Sequence, residues 1–193
     1  MTKNRLEAFS DGVLAIIITI MVLELKPPEE SGWHAIISMK WKLISYVMSF
    51  LFVGVYWGNH HHLLHVMKNF SSGIMLANLN LLFWLSLIPF VTGWVGETHF
   101  ASMPVAIYAA LLDVCGISYT ILQKVIEACQ RDNVKLKIIM KGQSRKGYLS
   151  LLLYSSGIPL AFVNPYISIS LFFIVSIFWL VPDKKIEKIV SGE

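Results

Sequence analysis

Apolar positions gather into long runs separated by short clusters of charge, glycine and proline, which is the pattern of helices that cross a bilayer. The first run, Val13 to Leu23, belongs to a helix expected over about residues 5–25. Lys3 and Arg5 ahead of it give it the start of a signal peptide. A cleavage site demands small residues next, however, and here Glu24, Lys26, Pro27, Pro28, Glu29 and Glu30 follow, while Asp11 interrupts the approach. Further runs predict helices over 43–64, 74–95 and 103–125, each bounded by charge, Gly or Pro. The stretch from Tyr148 to Val181 is too long for one span and breaks at the turn-forming Asn164-Pro165 into helices over 148–163 and 166–181. The expected fold is all-α, a polytopic membrane protein whose single transmembrane domain, 1–193, holds six helices.

Composition strengthens this reading. Of 193 residues, 55% are hydrophobic and only 15% charged, far from soluble usage. Six spans of roughly 20 residues leave only short connections and no room for a soluble domain. A soluble enzyme, a nucleic-acid module and a disulfide scaffold are thereby excluded, the only cysteines being Cys115 and Cys129. The net charge of +4 reflects where the basic residues sit. With the N-terminus inside, Lys3, Arg5, Lys68, the seven from Lys124 to Lys146 and the three from Lys184 onward place 13 on the inner side, against Lys26, Lys40 and Lys42 outside. This imbalance predicts a multi-pass protein of the cell membrane with both termini cytoplasmic. No internal repeat is visible, so inverted-repeat transporter architecture is not indicated.

On the first helix, Ile16, Ile20 and Leu23 fall within about 60 degrees of one another and form a narrow apolar stripe, flanked by Gly12 and Thr19. Ser10 and Asp11 point off that stripe and are expected to meet protein. An unpaired acid deep in a membrane costs roughly 2.5 to 3.5 kcal/mol, so Asp11 needs donors. Candidates stand at the same end of the second helix, where Tyr56, Trp57, Asn59, His60, His61, His62 and His65 cluster, and Asn78, Asn80 and Trp84 of the third helix lie nearby in depth. Trp57, His61 and His65 share one helix face. A buried polar network is one reading of these residues. A metal or haem site on His61 and His65 is another, although no Cys or carboxylate at ligand spacing accompanies them.

Three motifs then bear a resemblance. Arg5, Phe9, Ser10 and Asp11 fit R-x-x-x-F-S-D. Tyr56-Trp57 with Asn59-His60-His61 forms a second motif, and Asn80-Leu81-Leu82 with Ser86-Leu87-Ile88-Pro89-Phe90 a third. Together, across residues 5–97, they resemble the endolysosomal potassium channels of the transmembrane protein 175 family, in the single-repeat prokaryotic form. The C-terminal half is similar only in hydropathy and helix number, and His62 is a third consecutive histidine outside the pattern. The resemblance implies a potassium-selective cation channel, not an enzyme, with potassium as permeant ion and no cofactor or metal. It implies a homotetramer in the membrane lipid whose pore is lined by the first helices, with Ile16 at a hydrophobic constriction and Ile20 and Leu23 further outward. Four copies around an axis then stack three apolar rings, beside which Thr19 offers hydroxyl oxygens. Arg5, Phe9, Ser10, Asp11, Trp57, His61 and Asn80 form the expected structural network, with Ser10 and Asp11 bonding to Trp57, His61 and Asn80.

Other features carry less. Val91-Thr92-Gly93-Trp94-Val95-Gly96 superficially resembles a potassium filter but ends a full-length span, where glycine-rich helix termination is expected. Asp113 is expected to pair beside Ser118 and Tyr119. Ser155 and Ser156 are expected to satisfy carbonyls freed by Pro159, and Phe173 to face lipid. The basic stretch from Arg131 to Lys146 suits anionic headgroups as well as ordinary inside bias. The alternative function is a small transporter or metal-dependent membrane enzyme using the His60 to His65 cluster.

Overall fold

The structure, a computed structural model, describes residues 2–28, 31–65, 67, 69–130 and 134–180, with backbone alone for 134–139 and 141. Lys68, Arg131 and the basic residues from Lys184 onward therefore lie outside the described residues, as do the side chains of Lys135, Lys137 and Lys141. Among the described residues the secondary structure is entirely helical. The helices are α1 (Lys3–Leu23), α2 (Trp33–Ser38), α3 (Lys40–His65), α4 (Ser72–Leu85), α5 (Ile88–Glu97), α6 (Ser102–Cys129), α7 (Val134–Val163) and α8 (Pro165–Leu180). Lys3–Leu23, Ser72–Glu97 and Ser102–Cys129 are long and apolar enough to cross a membrane, and Pro165–Leu180 is a shorter apolar helix.

Three features depart from the sequence pattern. The run expected as one helix over 74–95 is split between α4 and α5. Pro89, in the first turn of α5, has no N–H to donate, and its ring would strike the carbonyl of Leu85. The filter-like Val91–Gly96 lies inside α5 and does not terminate it. The stop comes later, where His99 and Phe100 take positive φ of 53° and 63°. There the amide of Phe100 reaches Val95 O at 3.0 Å and that of His99 reaches Gly96 O at 3.4 Å, closing the last carbonyls of the helix. Thirdly, α7 begins at Val134, well before residue 148, so much of the expected basic loop is helix.

Asn164 caps α8 as the turn signal implies. Its Oδ1 accepts the Tyr166 amide at 2.9 Å, and Pro165 occupies the first helical position, where its missing N–H costs nothing. The serines ahead of Pro159 do not serve its freed carbonyl. Ser155 Oγ instead donates to Asp113 Oδ2 at 2.8 Å, and Ser156 Oγ to Leu153 O at 2.8 Å. Asp113 is thus paired across α6 and α7 rather than with Ser118 or Tyr119. Phe173 is half-buried against the core, whereas Ile174 and Ile177 are exposed.

The bundle has two distinct ends. At one, Lys3 Nζ donates to His65 O at 2.6 Å, Ser71 Oγ meets Cys129 Sγ at 3.4 Å, and Lys146 Nζ donates to Phe178 O at 3.2 Å. At the other, Lys42 and Glu97 pair at 3.5 Å and the Trp41 ring packs against Phe100 and Tyr166. Close approach there depends on Gly96, since a Cβ on it would stand 2.6 Å from Ser45 Oγ and 3.0 Å from Lys42 Cα. Between the ends, Thr92 Oγ1 lies 2.7 Å from Ser49 Oγ, which is 2.8 Å from Tyr108 OH, so a buried hydroxyl chain ties α3, α5 and α6. Thr92 belongs to this core.

Candidate ion pathway and its anchoring network

One face of α1 packs into the helical bundle. Leu6, Ser10, Leu14, Ile17 and Met21 recur at intervals of three and four and are all buried. The stripe of Ile16, Ile20 and Leu23 lies to one side of that face and stays uncovered, with exposures of 58%, 41% and 75%. Thr19 is exposed beside them, and its hydroxyl donates to Ile16 O at 2.9 Å, which leaves its oxygen able to accept. A Cβ on Gly12 would meet nothing within 4 Å.

The N-terminal half of α1 is fastened to α3 and α4 by polar contacts. Trp57 Nε1 donates to Asp11 Oδ1 at 3.0 Å. His61 Nδ1 lies 3.1 Å from Glu7 Oε1, and its ring is sandwiched between those of Trp57 and His65. Lys3, on the carbonyl of His65, places a cation at the negative end of α3.

Deeper in, Ser10 Oγ donates its one proton to Leu6 O at 2.8 Å and so accepts from Asn78 Nδ2 at 2.9 Å. Asn78 then offers Oδ1 to His60 at 2.6 Å, which makes His60 Nε2 the donor. His60 Nδ1 is left buried without a partner among the described residues.

The network differs in membership from the sequence expectation. Asn80 meets neither Ser10 nor Asp11. It donates to Ser118 Oγ at 2.9 Å and ties α4 to α6. Asn78 takes the place expected of it, and the 3.6-residue period shows why: Ile74, Ala77, Asn78, Leu81 and Leu82 are the buried face of α4, and Asn80 lies off it. His61 bonds Glu7 rather than Asp11. Glu7 stands one turn before Asp11 on the side turned to α3, outside the motif residues. Arg5 and Phe9 are exposed and join none of these contacts. Among the described residues no three His, Cys, Asp or Glu side chains gather into a metal-binding group.

Comparison with known proteins places this arrangement. The chain is 51% identical over 188 residues to a potassium channel of Chryseobacterium sp. (strain P1-3), covering 97% of each. Residues 5–89 match the family model described as Endosomal/lysosomal potassium channel TMEM175. The chain belongs to the TMEM175 family. Its fold agrees with a solved member, the lysosomal potassium-selective channel TMEM175 homolog from Chamaesiphon minutus, with a TM-score of 0.81 at 25% identity over 92% of this chain and 96% of that one. A more distant relative, the endosomal/lysosomal proton channel TMEM175 of Gallus gallus, is 29% identical over 65% of this chain and is spanned only to 25% of its length. TMEM175 membership makes this an ion-channel protein of the membrane rather than an enzyme.

Proposed function

We propose that this TMEM175 protein conducts potassium ions passively through a pore formed by four copies, with α1 of each lining the axis and both termini in the cytoplasm. The observation that carries the reading is the uncovered stripe of Ile16, Ile20 and Leu23 on a helix whose other face is fully engaged. A single α1 encloses nothing, but four around a closed axis do, and each then turns this stripe inward. The chain crosses the membrane six times on this reading, with α4 and α5 sharing one crossing and α2 lying outside. The ends of the bundle support that orientation, because Lys3, Lys124 and Lys146 belong to one end, while Lys40 and Lys42 belong to the other.

Three apolar rings set the mechanism. Branched aliphatic side chains offer an ion no oxygen to replace its hydration shell, so a narrow ring at Ile16 blocks conduction by dewetting and needs no charged plug. Opening requires the rings to widen. Thr19 supplies hydroxyl oxygens one turn from the constriction, where a partly dehydrated cation gains from them. The C-terminal ends of four α1 helices meet at the outer mouth, and their carbonyl dipoles favour cations there.

The test is ion flux through purified protein in liposomes. An imposed potassium gradient should dissipate electrically with no coupling ion, and light scattering in detergent should give the mass of four chains. Liposomes no leakier than protein-free ones, or flux that needs a second gradient, would sink the proposal. Repeating the assay with sodium, and with a proton gradient alone, reads the selectivity.

A further inference from the structure

The exposed stripe of α1 does not end at Ile16. α1 runs as one helix from Lys3 to Leu23, and at about 100 degrees per residue Arg5, Phe9 and Gly12 all fall within about 40 degrees of Ile16. The row then reads Arg5, Phe9, Gly12, Ile16, Ile20, Leu23, spaced by three and four, and every member is exposed. Arg5 carries the charge of this row. The other charged residues of α1, Lys3, Glu7 and Asp11, stand roughly 140 to 180 degrees away from Ile16. Each is taken up by α3: Lys3 by the carbonyl of His65, Glu7 by His61 and Asp11 by Trp57. Arg5 makes no hydrogen bond or ion pair among the described residues.

On the four-copy pore proposed above, from which this inference follows, turning the stripe to a common axis brings four Arg5 side chains to the cytoplasmic mouth. They stand about 16 Å of helix before the Ile16 ring. The free N–H groups of four α1 N-termini add positive potential at the same place, and no carboxylate on the stripe offsets it. The outer mouth differs. There the helices end on their carbonyls, and Glu24 and Lys26 follow with opposite charges.

We propose that Arg5 determines the direction of easy conduction: four guanidiniums ring the cytoplasmic mouth, so the channel passes potassium inward more readily than outward. Potassium approaching from the cytoplasm is repelled and locally depleted, whereas potassium arriving from outside is not. A mouth potential of about one kT thins the local cation concentration about threefold, and clefts lined by one sign of charge reach several kT. The Ile16 ring lies about two Debye lengths further in at physiological salt, where that length is about 8 Å. Arg5 therefore sets how readily ions arrive and not which alkali cation passes.

The experiment is recording of unitary currents from the full-length channel in inside-out patches, which fix its orientation, with equal potassium on both sides. Inward current should exceed outward about threefold at ~0.1 M potassium and approach it at ~1 M, where the screening length falls to about 3 Å. Arg5→Lys should keep the asymmetry, Arg5→Gln should reduce it and Arg5→Glu should reverse it, all with native discrimination between potassium and sodium. Lys124→Gln, which deletes a cation of the same end on α6, should leave it unchanged. Symmetric native currents, native asymmetry in Arg5→Glu, or loss of the tetramer in Arg5→Gln overturns the proposal, the last because Arg5 then grips a neighbouring copy. If Arg5→Glu does not assemble, Arg5→Gln decides alone. The asymmetry of a unitary current is independent of how many channels fold or open, so a merely structural Arg5 would not move it. Ile16→Asn, recorded alongside, separates the two readings. If it alters flux while Arg5→Glu is silent, this inference alone falls; if both are silent, α1 does not line the pore.

Discussion

Trp57 of α3 donates its indole N–H to Asp11 of α1 at 3.0 Å, and this bond holds the proposed pore helix against the rest of its subunit. The acid is half-buried and the indole 48% exposed, so the pair is partly screened. A hydrogen bond to a charged group is worth about 1.5 to 3 kcal/mol, and partial exposure favours the low end. Asp11→Ala should weaken the oligomer in detergent, and Trp57→Phe should do the same. The double variant should cost about 1 kcal/mol less than the sum, because both changes delete one contact. Strict additivity in thermal stability, or an Asp11→Ala oligomer as robust as the native one with full flux, would show that the bond does not hold α1.

Asn78 should matter more to stability than Asn80. Asn78 is fully buried and bridges Ser10 to His60, so Asn78→Ala orphans the buried His60 Nε2–H, at roughly 1 to 3 kcal/mol, and removes one bond from Ser10, which keeps its bond to Leu6 O. Asn80 is exposed and, among the described residues, bonds Ser118, so Asn80→Ala should fall below about 1 kcal/mol. Thermal unfolding of the two purified variants in the same detergent reads the difference. Equal shifts would contradict the assigned network.

The helical runs were legible because bilayer-length apolar stretches and the Asn164-Pro165 break are strong signals that depend on a few neighbouring residues. The exposed apolar stripe of α1 was legible for the same reason, since Ile16, Ile20 and Leu23 share a face by period alone, and their exposure needs no partner to be seen. Side-chain pairing was less so. Asn78 and Asn80 are equally polar, and only the buried face of α4 distinguishes them. Asp113 found Ser155 on a helix 42 positions away, a contact that depends on how α6 and α7 cross. The α4–α5 break was missed because hydropathy is continuous through Pro89 and only its missing N–H reveals it.

Gly96→Ala should destabilise although it adds one methyl group. Its Cβ would overlap Ser45 Oγ and press on Lys42 Cα, and that backbone cannot rotate away as a side chain would. Overpacking of this kind costs typically 1 to 3 kcal/mol. Gly54, where a Cβ meets nothing within 4 Å, is the control, and Gly54→Ala should be neutral or slightly stabilising. A Gly96→Ala melting temperature at or above the native value would mean that α3 and α5 can separate freely.

Orientation can be read chemically. Cysteines engineered at Glu97 and at Lys137, in a Cys129→Ser background, fall on opposite sides of the membrane in the proposed topology. An impermeant thiol reagent applied to sealed cells should label position 97 and spare position 137 until the cells are opened. Labelling of position 137 from outside would invert or dismantle the topology.

The gate gives the sharpest test. If Ile16 forms the tightest apolar ring, replacing it with asparagine brings four amides into that ring, which then wets and offers oxygens to a passing ion. Basal cation flux should rise in Ile16→Asn, and discrimination between potassium and sodium should fall, since a hydrated opening no longer forces the ion past Thr19 partly stripped. A polar group on an outward-facing helix provides the comparison. Ile177 of α8 is 58% exposed, as Ile16 is, so Ile177→Asn presents the same chemistry to lipid and should cost stability without altering flux. Equal exposure in the single chain makes the pair decisive, because only assembly around α1 separates their roles. Both variants belong in liposomes at matched protein content, with the oligomer confirmed beforehand. Unchanged flux and selectivity in an intact Ile16→Asn assembly would take Ile16 out of the pore and leave its exposed stripe to be explained by lipid.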